Sequence, residues 1–284
     1  MKPIFSLSKP KSVQLFVGSA AVFAVLARCV PGSPAWAQVP QATAAEENLP
    51  SLEFDVAAIK PHPQGASMNG GWRFTADSFS ASNLTLKSLI FNAYDLKSDS
   101  QLRDLPKWGR TDEWDINAKI GGESLQELQK LDARQSYEEK RMMLRKLLAT
   151  RFGLKIHRET KDLPIYELTV AKGGSKLAAA ATSDKGSSWS WGNGRFDGTD
   201  VGADALAYSL SSVEEIGRLV VDKTGLKGKY DIKLNWTPEG NKETLDSGPS
   251  IFTALEEQLG LKLISAKGPV ETIVVDHVER PTPN

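Results

Sequence analysis

Apolar positions along this chain follow two periods, and one passage from the helical period to the strand period is written twice. In the first copy Leu144, Leu148 and Phe152 recur at helical spacing with Leu147 beside them, which gives one apolar face. In the second, 107 positions later, Ile251, Leu255 and Leu259 take the same places. Gly153 and Gly260 follow the last apolar residue of each helix, where a left-handed end costs glycine least. Leu154/Ile156 and Leu261/Leu263 then alternate with polar residues, the period of a half-buried strand. Residues 163–170 and 270–275 alternate again, so each helix is expected to lead into a hairpin. The helix starts are signed as well: Ser136 with Glu139 reads as a capping box, and Ser250 as an N-cap. The matched faces, the shared Gly-Leu-Lys and the following strands predict an internal duplication.

The same periods place the other elements. Residues 54–60 alternate and stop at Pro61 and Pro63, which predicts a first strand at a sheet edge. Trp72, Phe74 and Phe79 mark a short strand or hairpin. Thr85 caps a helix whose Leu86, Leu89, Ile90, Ala93 and Tyr94 share a face. Residues 95–111 are polar and irregular, and 113–120 alternate as a strand stopped by Gly121-Gly122. Later, Leu206, Leu210 and Val213 mark a helix, 219–221 a short strand, and 229–236 a strand whose Tyr230-Asp-Ile echoes Trp114-Asp-Ile. Residues 276–280 continue the last strand. Each half reads helix, strand, helix, strand, strand. Such halves predict an α+β fold of mixed or antiparallel sheets with helices on one face. The first and last strands are candidates to lie side by side and join the halves.

Composition adds the compartment and the boundaries. Lys2, Lys9 and Lys11 precede an apolar run over 13–27, and Ala35-Trp-Ala37 has the small-x-small pattern of a signal-peptidase site. A secretory signal peptide over 1–37, cleaved after Ala37, is expected; the run is too short to favour a membrane span. Cys29 is the only cysteine, and Arg28 before it departs from a lipidation site. The organisation expected after cleavage is a disordered leader over 38–50 and a first α+β half over 51–171. A connection rich in Gly, Ser and Ala follows over 172–200, with a short strand near 189–196, and then a second half over 201–284. Losing Lys2, Lys9, Lys11 and Arg28 leaves 31 basic against 35 acidic residues. That balance makes no electrostatic case for nucleic acid or an anionic membrane surface. The mature chain shows no membrane span, and its expected place is the periplasm or the extracellular space.

Catalytic chemistry is not legible. His62, His157 and His277 stand far apart without metal-ligand spacing, so no metal and no cofactor is expected. The Gly-x-Ser-x-Gly elbow of serine hydrolases is absent. Gly192-Asn-Gly194 and Gly225-Leu-Lys-Gly228 lack the setting of a phosphate loop and read as turns. The repeated Asp115 and Asp231, each after an aromatic, are the carboxylates to watch; the strand period reads them as the solvated face. Trp189 and Trp191 fall on one side of an extended segment, where they would stack on a sugar or pack on a partner; since exposed paired tryptophans are unusual without a ligand, burial as an anchor for the connection is the expectation.

Four stretches carry a family resemblance: Phe54-Asp-Val-Ala-Ala-Ile-Lys-Pro61, Phe152-Gly-Leu-Lys-Ile-His-Arg-Glu-Thr160, Val220-Val-Asp-Lys-Thr-Gly-Leu-Lys-Gly-Lys-Tyr-Asp-Ile232 and Ser250-Ile-Phe-Thr-Ala-Leu-Glu-Glu-Gln-Leu-Gly-Leu-Lys-Leu263. With them the chain resembles an acidobacterial family of secreted proteins of unknown function, a module also attached to BlaR-type membrane metallopeptidases. More loosely, the helix–Gly-Leu–strand unit resembles the short N-terminal domain of secretins and TonB-dependent receptors. The resemblance implies no activity and no site residues. The resulting expectation is an exported, non-catalytic binding or interaction module of the cell envelope, its partner an envelope protein, a peptide or a glycan. An extracytoplasmic hydrolase using Asp115 or Asp231, and a sensor linked to a membrane peptidase, are the alternatives.

Overall fold

Alternating stretches become strands largely where the period places them. β1 (Phe54–Pro61), β2 (Gly71–Phe74), β3 (Ser78–Thr85) and β5 (Glu113–Ile120) form one antiparallel sheet in the order β1-β5-β3-β2. Along β5, Trp114, Ile116, Ala118 and Ile120 are buried and the residues between them are not. The computed structural model describes residues 52–63, 70–180, 186–239 and 248–281, all within the unit Ala44–Asn284. The expected signal peptide and leader lie outside the described residues, as do parts of the expected connection and of the loop before Ser250.

Helix α1 (Leu86–Tyr94) starts where expected: the Thr85 hydroxyl accepts from the Ser88 N–H. The strand β4 (Leu102–Arg103) and the short helix α2 (Trp108–Thr111) fill the irregular stretch, and α3 (Gly122–Gln129) begins at the glycines read only as a strand stop. The long helix α4 (Ala133–Arg151) starts a turn earlier than the expected Ser136 cap. Asp132 and Gln135 form its capping box, and Glu139 instead accepts from the Leu52 N–H. Both patterns satisfy orphan N–H groups equally well on paper, and the earlier one adds a helical turn.

After α4 the expected hairpin does not form. A single strand, β6 (Lys155–Val170), runs the whole length, and β12 (Leu261–His277) does the same after the second helix. They pair with each other, antiparallel, from Leu261 opposite Val170 to Val275 opposite Ile156. None of residues 157–164 is buried, so their polarity marks a solvated middle of the ribbon rather than a turn. Asp162 lies opposite Pro269, its own equivalent at the 107-residue offset, so the ribbon is centred on the axis of the repeat.

The second half follows with β7 (Ala178–Ala179), β8 (Ser188–Gly192), β9 (Arg195–Val201), α5 (Ala203–Leu210), β10 (Val220–Asp222) and β11 (Tyr230–Asn235). Its sheet is ordered β7-β11-β9-β8. Helix α6 (Ile251–Ala254), capped by Ser250, continues into a π turn over Leu255–Leu259. Gly153 and Gly260 end the two helices at φ 58° and 63°, as the pattern requires. The halves also exchange strands across the ribbon. β10 lies parallel to β6 with Val220 beside Tyr166, and β4 lies parallel to β12 with Leu102 beside Ile273, 107 positions after Tyr166. Ile273 and Val275 accordingly enter the first core with Trp114 and Phe152, while Leu168 enters the second with Phe196 and Trp236. β1 pairs with β5, so the β6–β12 ribbon and not the first and last strands joins the halves. With six helices and twelve strands among the described residues, in mixed and antiparallel sheets, the fold is α+β.

Candidate functional site

The repeated aspartates sit opposite β-bulges. Between Ala81 and Leu84, β3 places two residues against Asp115 alone, and β9 does the same against Asp231. The second bulge residue is left-handed in each copy, Asn83 at φ 53° and Asp200 at φ 55°, a conformation Asn and Asp tolerate best among side-chain-bearing residues. Its N–H has lost its ladder partner, and the facing carboxylate takes it: Asn83 N donates to Asp115 Oδ1 at 2.9 Å, and Asp200 N to Asp231 Oδ1 at 3.1 Å. The first copy adds Ser82 Oγ at 3.0 Å and His62 Nδ1 at 2.8 Å on that same Asp115 oxygen. Burial works to raise the Asp115 carboxyl, but the Asn83 N–H, His62 and Ser82 outweigh it and hold its pKa below the ordinary value. Asp115 belongs to the first sheet and Asp231 to the last; each carboxylate serves its own bulge.

Trp189 and Trp191 stand together on β8, which among the described residues is an edge strand paired with β9 alone. They lie opposite Gly198 and Phe196, so they share the face that buries Phe196, Ile232 and Leu234. Both remain 46% exposed, so the expected anchoring by burial does not occur. Asp231, one residue from Ile232 along β11, points to the other face.

The histidines do not converge, and among the described residues no group of three His, Cys, Asp or Glu side chains is arranged to hold a metal. His157 lies between Asp276 and Glu159, and His277 contacts Glu279. Where the halves meet, Asp95 accepts from Tyr208 Oη and Lys97 Nζ at 2.8 Å and lies 3.4 Å from buried Arg141. Burial first, and then Asp95, push the Tyr208 hydroxyl far above its ordinary pKa. Two concavities stand out among the described residues. One, about 420 Å³, holds Lys172, Lys176 and Lys262 around Gly173-Gly174. It sits beside the C-terminal end of the second helix, whose carbonyls oppose an anion. The other, about 510 Å³, lies between the β2–β3 hairpin and α1 and is lined by Trp72, Phe91, Lys87, Asn92 and Asp99. Sequence reasoning passed over these groove residues; the signal for them is Trp72, which matches the exposed Trp189 at an offset of 117.

A family described as protein of unknown function (DUF3738) matches residues 87–278, from the first turn of α1 past the end of β12. The chain belongs to this family. The match takes in the whole ribbon and the second half, and the β2–β3 hairpin with Trp72 precedes it. Neither a curated protein nor a solved structure matches the chain. Among the described residues no helix is long and apolar enough to cross a membrane.

Proposed function

We propose that this DUF3738 protein is an exported, non-catalytic binding or protein-interaction module of a bacterial cell envelope, and that it engages its partner along the edge of β8. One observation carries the reading: an edge strand whose outer side meets no other strand among the described residues presents two half-exposed tryptophans on the face of the second core. Edges of this kind are either protected or used, and strand addition combines main-chain bonds with side-chain pockets. The aspartates weigh the same way. Each spends an oxygen on a bulge amide, a task that locates a strand and moves no proton.

The test immobilises the purified protein and its Trp189→Ser/Trp191→Ser variant and presents both with a solubilised envelope fraction and with synthetic strand-forming peptides. The expected result is saturable capture by the parent protein that the double variant loses. Capture of nothing, or equal capture by both, removes the reading.

A further inference from the structure

We propose that the groove between the β2–β3 hairpin and α1 is a saccharide site that takes one or two neutral pyranose rings. The site lies in the first half and does not depend on the edge of β8. Its volume, about 510 Å³, falls within the roughly 300–1,000 Å³ typical of small-ligand pockets. Trp72, Leu84 and Phe91 supply an apolar wall, and Trp72 is 39% exposed. The rim carries Lys87, Ser88, Asn92 and Asp99.

Charge narrows the ligand. Lys87 Nζ reaches the Asp99 carboxylate at 2.6 Å and stands 5.4 Å from the centre of the Phe91 ring. Arg110 stands 3.9 Å from the same carboxylate, so Asp99 is answered twice and Lys87 is already paired, which leaves the rim no unanswered carboxylate for a cation and no unpaired lysine for an anion. A wholly apolar ligand would strip water from that ion pair and return no hydrogen bonds. A neutral polyol with one apolar face fits both demands. A pyranose lays its C–H face on the indole and offers hydroxyls, each both donor and acceptor, to the rim. Lys87 donates, Asp99 accepts, and Asn92, whose Nδ2 is committed to the Ser88 carbonyl at 3.0 Å, keeps Oδ1 as an acceptor.

The repeat supplies an independent argument. At the 117-residue offset the hairpin tryptophan recurs as Trp189, and Phe91 recurs as the aromatic Tyr208. The polar set does not recur: Lys87, Ser88 and Asn92 are replaced by Asp204, Ala205 and Ser209. Ser209 is buried and donates to the Ala205 carbonyl. Aromatic residues thus stand at both positions in either copy, but Tyr208 is spent on Asp95 and Lys97, and the Lys-Ser-Asn set belongs to the first copy alone.

Calorimetry and saturation-transfer NMR on the full chain, with cellobiose, N,N′-diacetylchitobiose and maltose as probes, test the assignment. Methyl glucuronate and a proline-rich peptide serve as probes of the anionic and peptide classes. The expected result is saturable binding of a neutral disaccharide, weakened about tenfold by Trp72→Ala and about fivefold by Asn92→Ala, and unchanged by Phe252→Ala. Circular dichroism confirms that each variant is folded, and half-exposed Asn92 keeps the test alive should Trp72→Ala unfold. Absence of binding by all three disaccharides, preference for the glucuronate or the peptide, or equal weakening by Phe252→Ala overturns the proposal. None of these failures touches the reading of β8.

Discussion

The two halves build the same hairpin and then treat its inner face differently. In the first, the nineteen residues of α4 pass over the β2–β3 hairpin, and Tyr137 meets Phe74 edge to face at 5.9 Å. Lys140 Nζ adds a bond to the Thr75 carbonyl at 2.7 Å. In the second, four residues of α6 and a five-residue π turn stand in the register of the last turns of α4, and Trp191, the equivalent of Phe74, stays 46% exposed. Shared positions, such as the two glycines and the two bulges, hold the scaffold. Surfaces appear where the copies part: a pair of half-exposed tryptophans on the edge strand of the second half, a polar-rimmed groove in the first.

The strongest way to break the picture of two exchanged halves is to damage a core from the opposite half. Leu168 belongs to β6 yet is fully buried in the second core, and its equivalent Val275 belongs to β12 and is buried in the first. Leu168→Ala should cost about 2–5 kcal/mol in urea unfolding, as buried leucine truncations do. Hydrogen exchange should show its largest loss of protection in β9, α5 and β11. Loss confined to the first sheet would mean that the halves are independent.

The paired glycines should separate next. Alanine at either position pays about 1–2 kcal/mol for a left-handed residue. At Gly153 the new methyl has room, with His277 3.8 Å away, whereas at Gly260 it would sit 2.1 Å from the Gly174 carbonyl oxygen. Gly260→Ala should therefore lower the thermal midpoint distinctly more than Gly153→Ala. An equal loss in the two variants would show that the Gly174 turn moves aside freely.

The bulge latches differ by less. Asp115→Asn disturbs three donors and should cost about 1–2 kcal/mol, while Asp231→Asn disturbs one and should cost less than about 1 kcal/mol. The Asp115 pKa is depressed in the folded chain, so its stabilisation is present above the ordinary carboxylate range and is lost as pH falls through the folded value. The stability gap between the parent and Asp115→Asn should narrow on acidification. A gap of constant size would remove the charge from the explanation.

These differences also mark what the sequence could and could not disclose. Local periods were legible: β5 spans the same eight residues that alternate, and Thr85, Ser250, Gly153 and Gly260 do what their chemistry predicts. The ribbon was not, because a polar run such as 157–162 looks like a turn until its partner, over a hundred residues away, is paired with it. The choice between Asp132 and Ser136 as a cap turns on how far the helix extends, which tertiary packing decides. The tryptophans misled for a related reason. Burial is the usual fate of two neighbouring indoles, and it fails here because the helix that would cover them is short.

The smallest effect comes from a position where the two ribbon strands diverge. His157 on β6 has Ile264 as its equivalent on β12, 107 positions later and 41% exposed. His157 Nδ1 is 2.7 Å from Asp276 and Nε2 is 3.3 Å from Glu159. Hydrogen bonding to Glu159 first, and then to Asp276, raises its pKa above the ordinary 6.5. A group raised in the folded state stabilises fully below its unfolded pKa, and the contribution disappears as pH rises through the folded value. Since the imidazole is solvated, the effect should be small and sensitive to salt. The midpoint gap between the parent and His157→Gln should be widest in mild acid and close as the solution turns alkaline. Ile264→Gln, which removes no titrating group, should give a gap that ignores pH. Parallel pH profiles for the two variants would place the whole His157 effect in packing.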